Sequence, residues 1–238
     1  MSGGNTNQSA QRVTTSSGKV GVYDAVGIDS EQAKWFVRHV GLSLEELEFT
    51  RGQDLKLRMV DMEPPLVAPE SSNPKQVDVV GTATLSSDDT SIINTFICEQ
   101  LDEYESLKTA PHEQYVVHPH FVKGNQAVSA RRYSCAGFVH ECYLDIDITL
   151  VDVGSLPLIG AETLAVVYPH LLRVLANPRL RAMAGLGSDG PWPVLLPGYL
   201  FHSLSRGADQ IRQVAYQPQS GDECFPRLET AQATNHES

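Results

Sequence analysis

The chain has 238 residues, of which 41% are hydrophobic and 20% are charged, a composition typical of a globular protein. Eighteen lysines and arginines stand against 29 aspartates and glutamates, which gives a formal net charge of −11. Nucleic acids and anionic membranes bind clustered positive charge, and no run of basic residues is longer than Arg131-Arg132, so the composition argues against both partners.

Polar residues at both ends of the chain predict a disordered N-terminal tail at residues 1–18 and a flexible C-terminal tail at residues 217–238. Residues 19–216 are then expected to form a single domain. No apolar run approaches the roughly 18 residues of a membrane span, and the N-terminal tail lacks the apolar segment of a signal peptide. The four cysteines are too widely scattered for a disulfide framework, so we expect a protein of the reducing cytoplasm.

Hydrophobic periodicity predicts a mixture of helices and strands. Helices are expected at residues 27–41, 43–49, 88–107 and 160–176, and extended segments at residues 55–62, 76–85, 113–122 and 125–133. The first helix is inferred from Ala33, Phe36, Val37 and Val40, which recur at helical spacing. Because the elements do not repeat a strand–helix–strand unit, the pattern predicts an α+β fold.

The segment RYSCAGFVHECY, residues 132–143, predicts a helix that carries two of the cysteines. With Ser134 as the N-cap, one face of this helix holds Cys135, Phe138, Val139, Cys142 and Tyr143. Cys142 is explained as part of a buried stripe. Cys135 lies in the first turn, where free N–H groups and the helix dipole stabilise a thiolate and lower its pKa. Cys135 is therefore a candidate nucleophile, and the alternative is a buried structural thiol.

The stretch YSCAGFVHECYLDIDITLV resembles the nucleophile helix of the NlpC/P60 superfamily of papain-like thiol hydrolases. That family shows Cys-Ser/Ala-Gly-hydrophobic-Val and an aromatic residue two turns later, and the residues that follow, through GSLPLIGAETL, are similar to its circularly permuted branch. The resemblance implies an α+β fold of papain-like type, in which the helix bearing the cysteine packs on an antiparallel sheet. It also implies a Cys–His pair that hydrolyses an amide or ester bond.

The resemblance transfers only the nucleophile, onto Cys135, so the base must be found among the other residues. In YVVHPHFV, His118 and His120 lie on the same side of a predicted strand, and we take His120 first and His118 second as the candidate base. His39, in RHVGLS, is similar to the His-Val-Gly-hydrophobic strand of permuted members, but its neighbours predict a helix. The sequence does not select a third group to orient the imidazole.

Two other interpretations stay open. The side chains of His118, His120 and Cys135 would suit zinc, which binds nitrogen and sulfur ligands, but no CxxC or HxxxH spacing supports such a site. The chain could also be a non-catalytic interaction or structural protein with a degenerate papain-like fold. The favoured hypothesis is a cysteine hydrolase without metal or cofactor, whose partner is a peptide or a small amide-containing substrate.

Overall fold

The secondary structure mixes strands and helices in one α+β arrangement, as predicted. The computed structural model describes residues 12–15, 19–29, 34–44, 47–50, 55–77, 79–82, 85–117, 130–187 and 189–226. The strands in these ranges are β1 (Arg12–Thr15), β2 (Lys19–Asp29), β3 (Lys34–Ser43), β4 (Leu47–Thr50), β5 (Leu55–Arg58), β6 (Pro74–Val77), β7 (Val79–Thr82), β8 (Leu158–Ile159), β9 (Trp192–Pro193) and β10 (Cys224–Pro226). The α-helices are α1 (Ser87–Ser106), α2 (Cys135–Leu144), α3 (Ala161–Val167), α4 (Leu172–Leu175), α5 (Pro178–Met183), α6 (Pro197–Leu204) and α7 (Ala208–Gln213).

The largest sheet has four antiparallel strands in the order β10-β3-β2-β7. Strand β3 is central, and Phe36, Val37, Val40 and Leu42 on it are all buried. The prediction of a helix at residues 27–41 is therefore wrong. A strand buried on both faces has no alternation to reveal it, and its apolar residues can match helical spacing. The short helix predicted at residues 43–49 is also wrong, because β4 covers the end of that segment and pairs with β1.

Helix α1 begins at Ser87, one residue before the helix that the sequence predicts at residues 88–107, and its N-cap is Ser86. Ser86 Oγ accepts a hydrogen bond from the Asp89 amide at 3.1 Å, and Asp89 Oδ2 accepts one from the Ser86 amide at 2.9 Å. This reciprocal capping box satisfies two backbone N–H groups at the helix start. Further along, Ile93, Phe96 and Ile97 are buried in the core, as their spacing predicts.

Helix α2 lies in the middle of the core. Ser134 Oγ accepts a hydrogen bond from the Gly137 amide at 3.0 Å, so Ser134 is the N-cap and Cys135 the first helical residue, as predicted. Eight of the ten residues of α2 are buried, and the helix packs against β3, α1 and α6. The helix that carries the cysteine thus packs on an antiparallel sheet.

One strand lies in each of the two segments that the sequence predicts as tails. Strand β1 lies within residues 1–18, where the β-branched residues of RVTT favour an extended backbone. Strand β10 lies beyond residue 216 and pairs with Trp35 and Phe36 of β3. At Gly198, in α6, a side-chain carbon would lie 2.6 Å from the carbonyl oxygen of Glu223, so glycine is required for this close approach.

Among the helices of the described ranges, none combines the length and apolar character needed to cross a membrane.

Candidate active site

The structure describes only one of the three site residues predicted from sequence. Cys135 is the first residue of α2, whereas His118 and His120 lie outside the described residues. The pairing of Cys135 with either histidine, and the zinc site that would use both, therefore remain predictions.

Cys135 Sγ lies against the edge of β3. This edge pairs with β10 at Phe36 and forms two backbone hydrogen bonds with Val60 at Leu42, each 2.8 Å long. Backbone groups of alternate residues point to the same edge of a strand, so those of Arg38 and Val40 face the gap between these partners. The sulfur lies in that gap, 3.9 Å from the Arg38 carbonyl oxygen, and the Val40 backbone also hydrogen-bonds it.

The thiol of Cys135 is shielded from solvent and stays protonated at neutral pH. The residue is 1% exposed, and burial raises the pKa of its thiol to about 12. The prediction of a lowered pKa at the helix N-terminus is therefore wrong for this state, because loss of solvation outweighs the hydrogen bonds that favour the thiolate. The hydroxyl of Tyr168 lies 3.9 Å from the sulfur.

A histidine and a carboxylate meet beside the same strand. His39 Nε2, on β3, lies 3.1 Å from Asp61 Oδ2. Asp61 follows Val60, the residue bonded to the edge of β3, and a side-chain carbon at Gly41 would lie 3.0 Å from Asp61 Cβ. The lack of a side chain at Gly41 thus lets Asp61 approach β3 next to His39.

Burial sets the charges of this pair. It lowers the pKa of His39 to about 4 and raises the pKa of Asp61 to about 6. At neutral pH the imidazole is therefore neutral and the carboxylate ionised. Lys75 Nζ donates to Asp61 Oδ2 at 2.9 Å and also to Glu63, and thereby compensates the buried negative charge.

The ligand atoms of His39, Asp61 and Glu63 lie within 4.8 Å of one another, close enough to hold a metal ion. Lys75 donates hydrogen bonds to both carboxylates. A metal ion would have to displace this ammonium group, so we assign no metal to the cluster.

A cleft of about 1590 Å³ opens beside these residues. Its lining includes Arg38, His39, Tyr115, Tyr168 and His170. Cys135 does not line it, but Tyr168 contacts the sulfur and lines the cleft. The Tyr168 side chain therefore lies between the thiol and the cleft.

Sequence reasoning did not identify Asp61 or Tyr168, and it set His39 aside because of the helix predicted there. The signal for His39 was the motif HVG itself. No sequence motif around Asp61 or Tyr168 indicates a functional role, because each residue reaches the site only through contacts between distant parts of the chain.

Comparison with known proteins gives no identification: no protein-family model, curated protein or solved structure matches the chain. The case for a function consequently depends on the residues of the site.

Proposed function

We propose that the protein is a thiol hydrolase with a permuted papain-like arrangement, in which Cys135 is the nucleophile and His39 the base. The observation that carries this proposal is the position of His39. It lies on the strand whose edge contacts the Cys135 sulfur, and the Asp61 carboxylate lies 3.1 Å from its Nε2. In the order of the chain the histidine precedes the cysteine, as it does in the permuted branch that the sequence around Cys135 resembles.

The negative charge of Asp61 beside Nε2 would favour the tautomer of His39 that carries its proton on Nε2, so that Nδ1 acts as the base. Nδ1 takes the thiol proton as Sγ attacks the carbonyl carbon of an amide or ester, and returns it to the leaving nitrogen or oxygen. Water then attacks the thioester carbonyl and gives a proton to His39. The C–S bond breaks, the carboxylic acid leaves, and His39 returns the proton to the Cys135 thiolate. Backbone N–H groups in the first turn of α2 would stabilise the oxyanion.

The raised pKa of Cys135 requires a conformational step before this chemistry. The thiol must gain contact with the cleft, and Tyr168, which touches both, is the side chain that has to move. Burial raises the pKa of the thiol and lowers the pKa of His39, so the opening has to solvate both groups before His39 can accept the proton.

The test uses p-nitrophenyl acetate as an acyl donor for the full chain. We expect a burst of nitrophenolate and the added mass of one acetyl group, which peptide mapping locates at Cys135. Cys135→Ser should abolish the burst. His39→Gln should slow it by about 100-fold or more, whereas His170→Gln, which changes another cleft histidine, should leave it nearly unchanged.

Cys98→Ser is the control for non-specific acylation, because Cys98 is an exposed free thiol. The proposal would be refuted if acetylation mapped to Cys98 alone, or if the His39→Gln variant were acetylated as fast as the wild type. A non-catalytic interaction protein would then be the better interpretation.

A further inference from the structure

We propose that the cleft binds an amphipathic carboxylate, that is, a small amide or peptide substrate with a carboxylate close to an apolar group. This inference names the substrate class of the proposed hydrolase and so rests on the proposed function. It is drawn from the charges and the apolar surface that line the cleft.

Two arginines of the lining make no ion pair with any carboxylate of the described residues. Arg38 Nε donates to the Val166 carbonyl oxygen at 3.2 Å, and Arg132 Nη1 donates to the Met183 carbonyl oxygen at 3.0 Å. These bonds position the guanidinium groups without neutralising them. In a chain with a net charge of −11, two such cations in one cleft indicate a negatively charged ligand.

The carboxylates of the same lining have other partners. Glu63 is bound by Lys75, and Glu113 Oε2 accepts a hydrogen bond from the Ala110 amide at 3.3 Å. Neither carboxylate pairs with Arg38 or Arg132, so both guanidinium groups can still bind an anionic ligand. A guanidinium group pairs with a carboxylate through two parallel hydrogen bonds, which favours a carboxylate as the anionic group.

Apolar surface adjoins one of the arginines. Arg132 is bound to the backbone of Met183, at the end of α5, and Met183 and Leu180 of that helix line the cleft with 57% and 37% of their surface exposed. Large apolar side chains exposed in a cleft are typical of ligand contacts. A ligand on Arg132 would thus bring its apolar group against α5.

Calorimetric binding to the full-length Cys135→Ala variant tests this inference without turnover. The probes are N-octanoylglycine, its neutral amide N-octanoylglycinamide, and N-acetylglycine, which keeps the charge but lacks the chain. We expect N-octanoylglycine to bind at least about tenfold more tightly than either of the other probes, since only it satisfies both the guanidinium and the apolar surface.

Arginine variants locate the contact. Arg132→Gln should reduce the affinity for N-octanoylglycine about tenfold, to the level of the neutral amide, and leave the affinity for the amide unchanged. Arg58→Gln is the matched control, because Arg58 also donates to a backbone carbonyl, that of Glu70, but does not line the cleft. Equal binding of the acid and the amide, or an equal loss in Arg58→Gln, would overturn the inference.

Binding and catalysis can fail separately. If N-octanoylglycine binds as expected but Cys135 is not acetylated by p-nitrophenyl acetate, the cleft is a carboxylate site and the hydrolase proposal is lost. If Cys135 is acetylated but the three probes bind alike, the hydrolase stands without this substrate class.

Discussion

Replacing Tyr168 by alanine removes the side chain that contacts both the Cys135 sulfur and the cleft. Burial holds the pKa of the thiol at about 12. If the variant restores the ordinary value of 9.0, the thiolate fraction at pH 8 rises about a thousandfold, since each pKa unit is a factor of ten. We therefore expect Cys135 to react with iodoacetamide at least tenfold, and up to about a thousandfold, faster than in the wild type.

The assay follows carbamidomethylation of each cysteine by peptide mass spectrometry at pH 8. Cys98 is exposed and gives the rate of an accessible thiol, whereas Cys142 is buried and reports general loosening of the fold. Tyr168→Phe keeps the ring in place and should leave Cys135 as slow as in the wild type. Tyr199→Ala removes another buried tyrosine and controls for the loss of stability that such a cavity causes.

Two results would refute this reasoning. The first is a wild-type Cys135 that already reacts as fast as Cys98, which would mean that the thiol is not shielded. The second is equal acceleration of Cys135 in Tyr168→Ala and Tyr199→Ala, because a general loosening would then explain the reactivity.

Three further predictions concern packing and charge. Gly198→Ala should lower the free energy of unfolding by about 1–3 kcal/mol in urea denaturation, because its side chain would clash with a backbone oxygen 2.6 Å away. Gly207→Ala is the control and should leave the free energy of unfolding unchanged, because no atom lies within 4 Å of the added carbon. Equal effects of the two substitutions would contradict the close approach at Gly198. Lys75→Met should destabilise the protein by about 1–3 kcal/mol at pH 8 but less at pH 5. The reason is that the ammonium group of Lys75 lowers the pKa of Asp61. Without it the pKa of Asp61 in the native state is higher, and the stability of the variant falls as the pH rises through that pKa. A loss of stability that does not depend on pH would contradict the pairing of Lys75 with Asp61. The imidazole resonances of His39 should titrate with a midpoint of about 4 in NMR spectra, so that its contribution to stability is present above pH 6.5 and is lost as the pH falls through 4; a midpoint near 6.5 would show that it is not buried.

Local signals in the sequence predicted helices α1 and α2. Ser134 is the N-cap of α2, as predicted, because a helix start is decided by hydrogen bonds within one turn. The N-cap of α1 is Ser86, which lies before the start predicted at residue 88. Strand β3 was missed for the opposite reason. Its residues Phe36, Val37 and Val40 have helical spacing, and they form a strand because β3 pairs with the preceding strand β2 and with β10, which is distant in sequence.

The nucleophile candidate was found from sequence, but its surroundings were not. A thiol in the first turn of a helix has a lowered pKa only where solvent or charge reaches it, and the contact with the Arg38 carbonyl and with Tyr168 depends on tertiary packing. The same holds for Asp61, whose place beside His39 follows from the pairing of Leu42 with Val60. The sequence pattern thus identified Cys135 as the candidate nucleophile, whereas the fold determines its protonation state.

The position of the Cys135 sulfur in the gap of the β3 edge also has a consequence for self-association. An open strand edge is a template on which another chain can add a strand, and at Arg38 and Val40 the Cys135 side chain, not a neighbouring strand, contacts the edge. Covalent modification of Cys135 removes its S–H donor and enlarges the group in the gap. Any reagent that modifies this thiol is therefore expected to expose the backbone N–H and C=O groups of this short edge. Labelled protein should then dimerise or aggregate more readily than unlabelled protein.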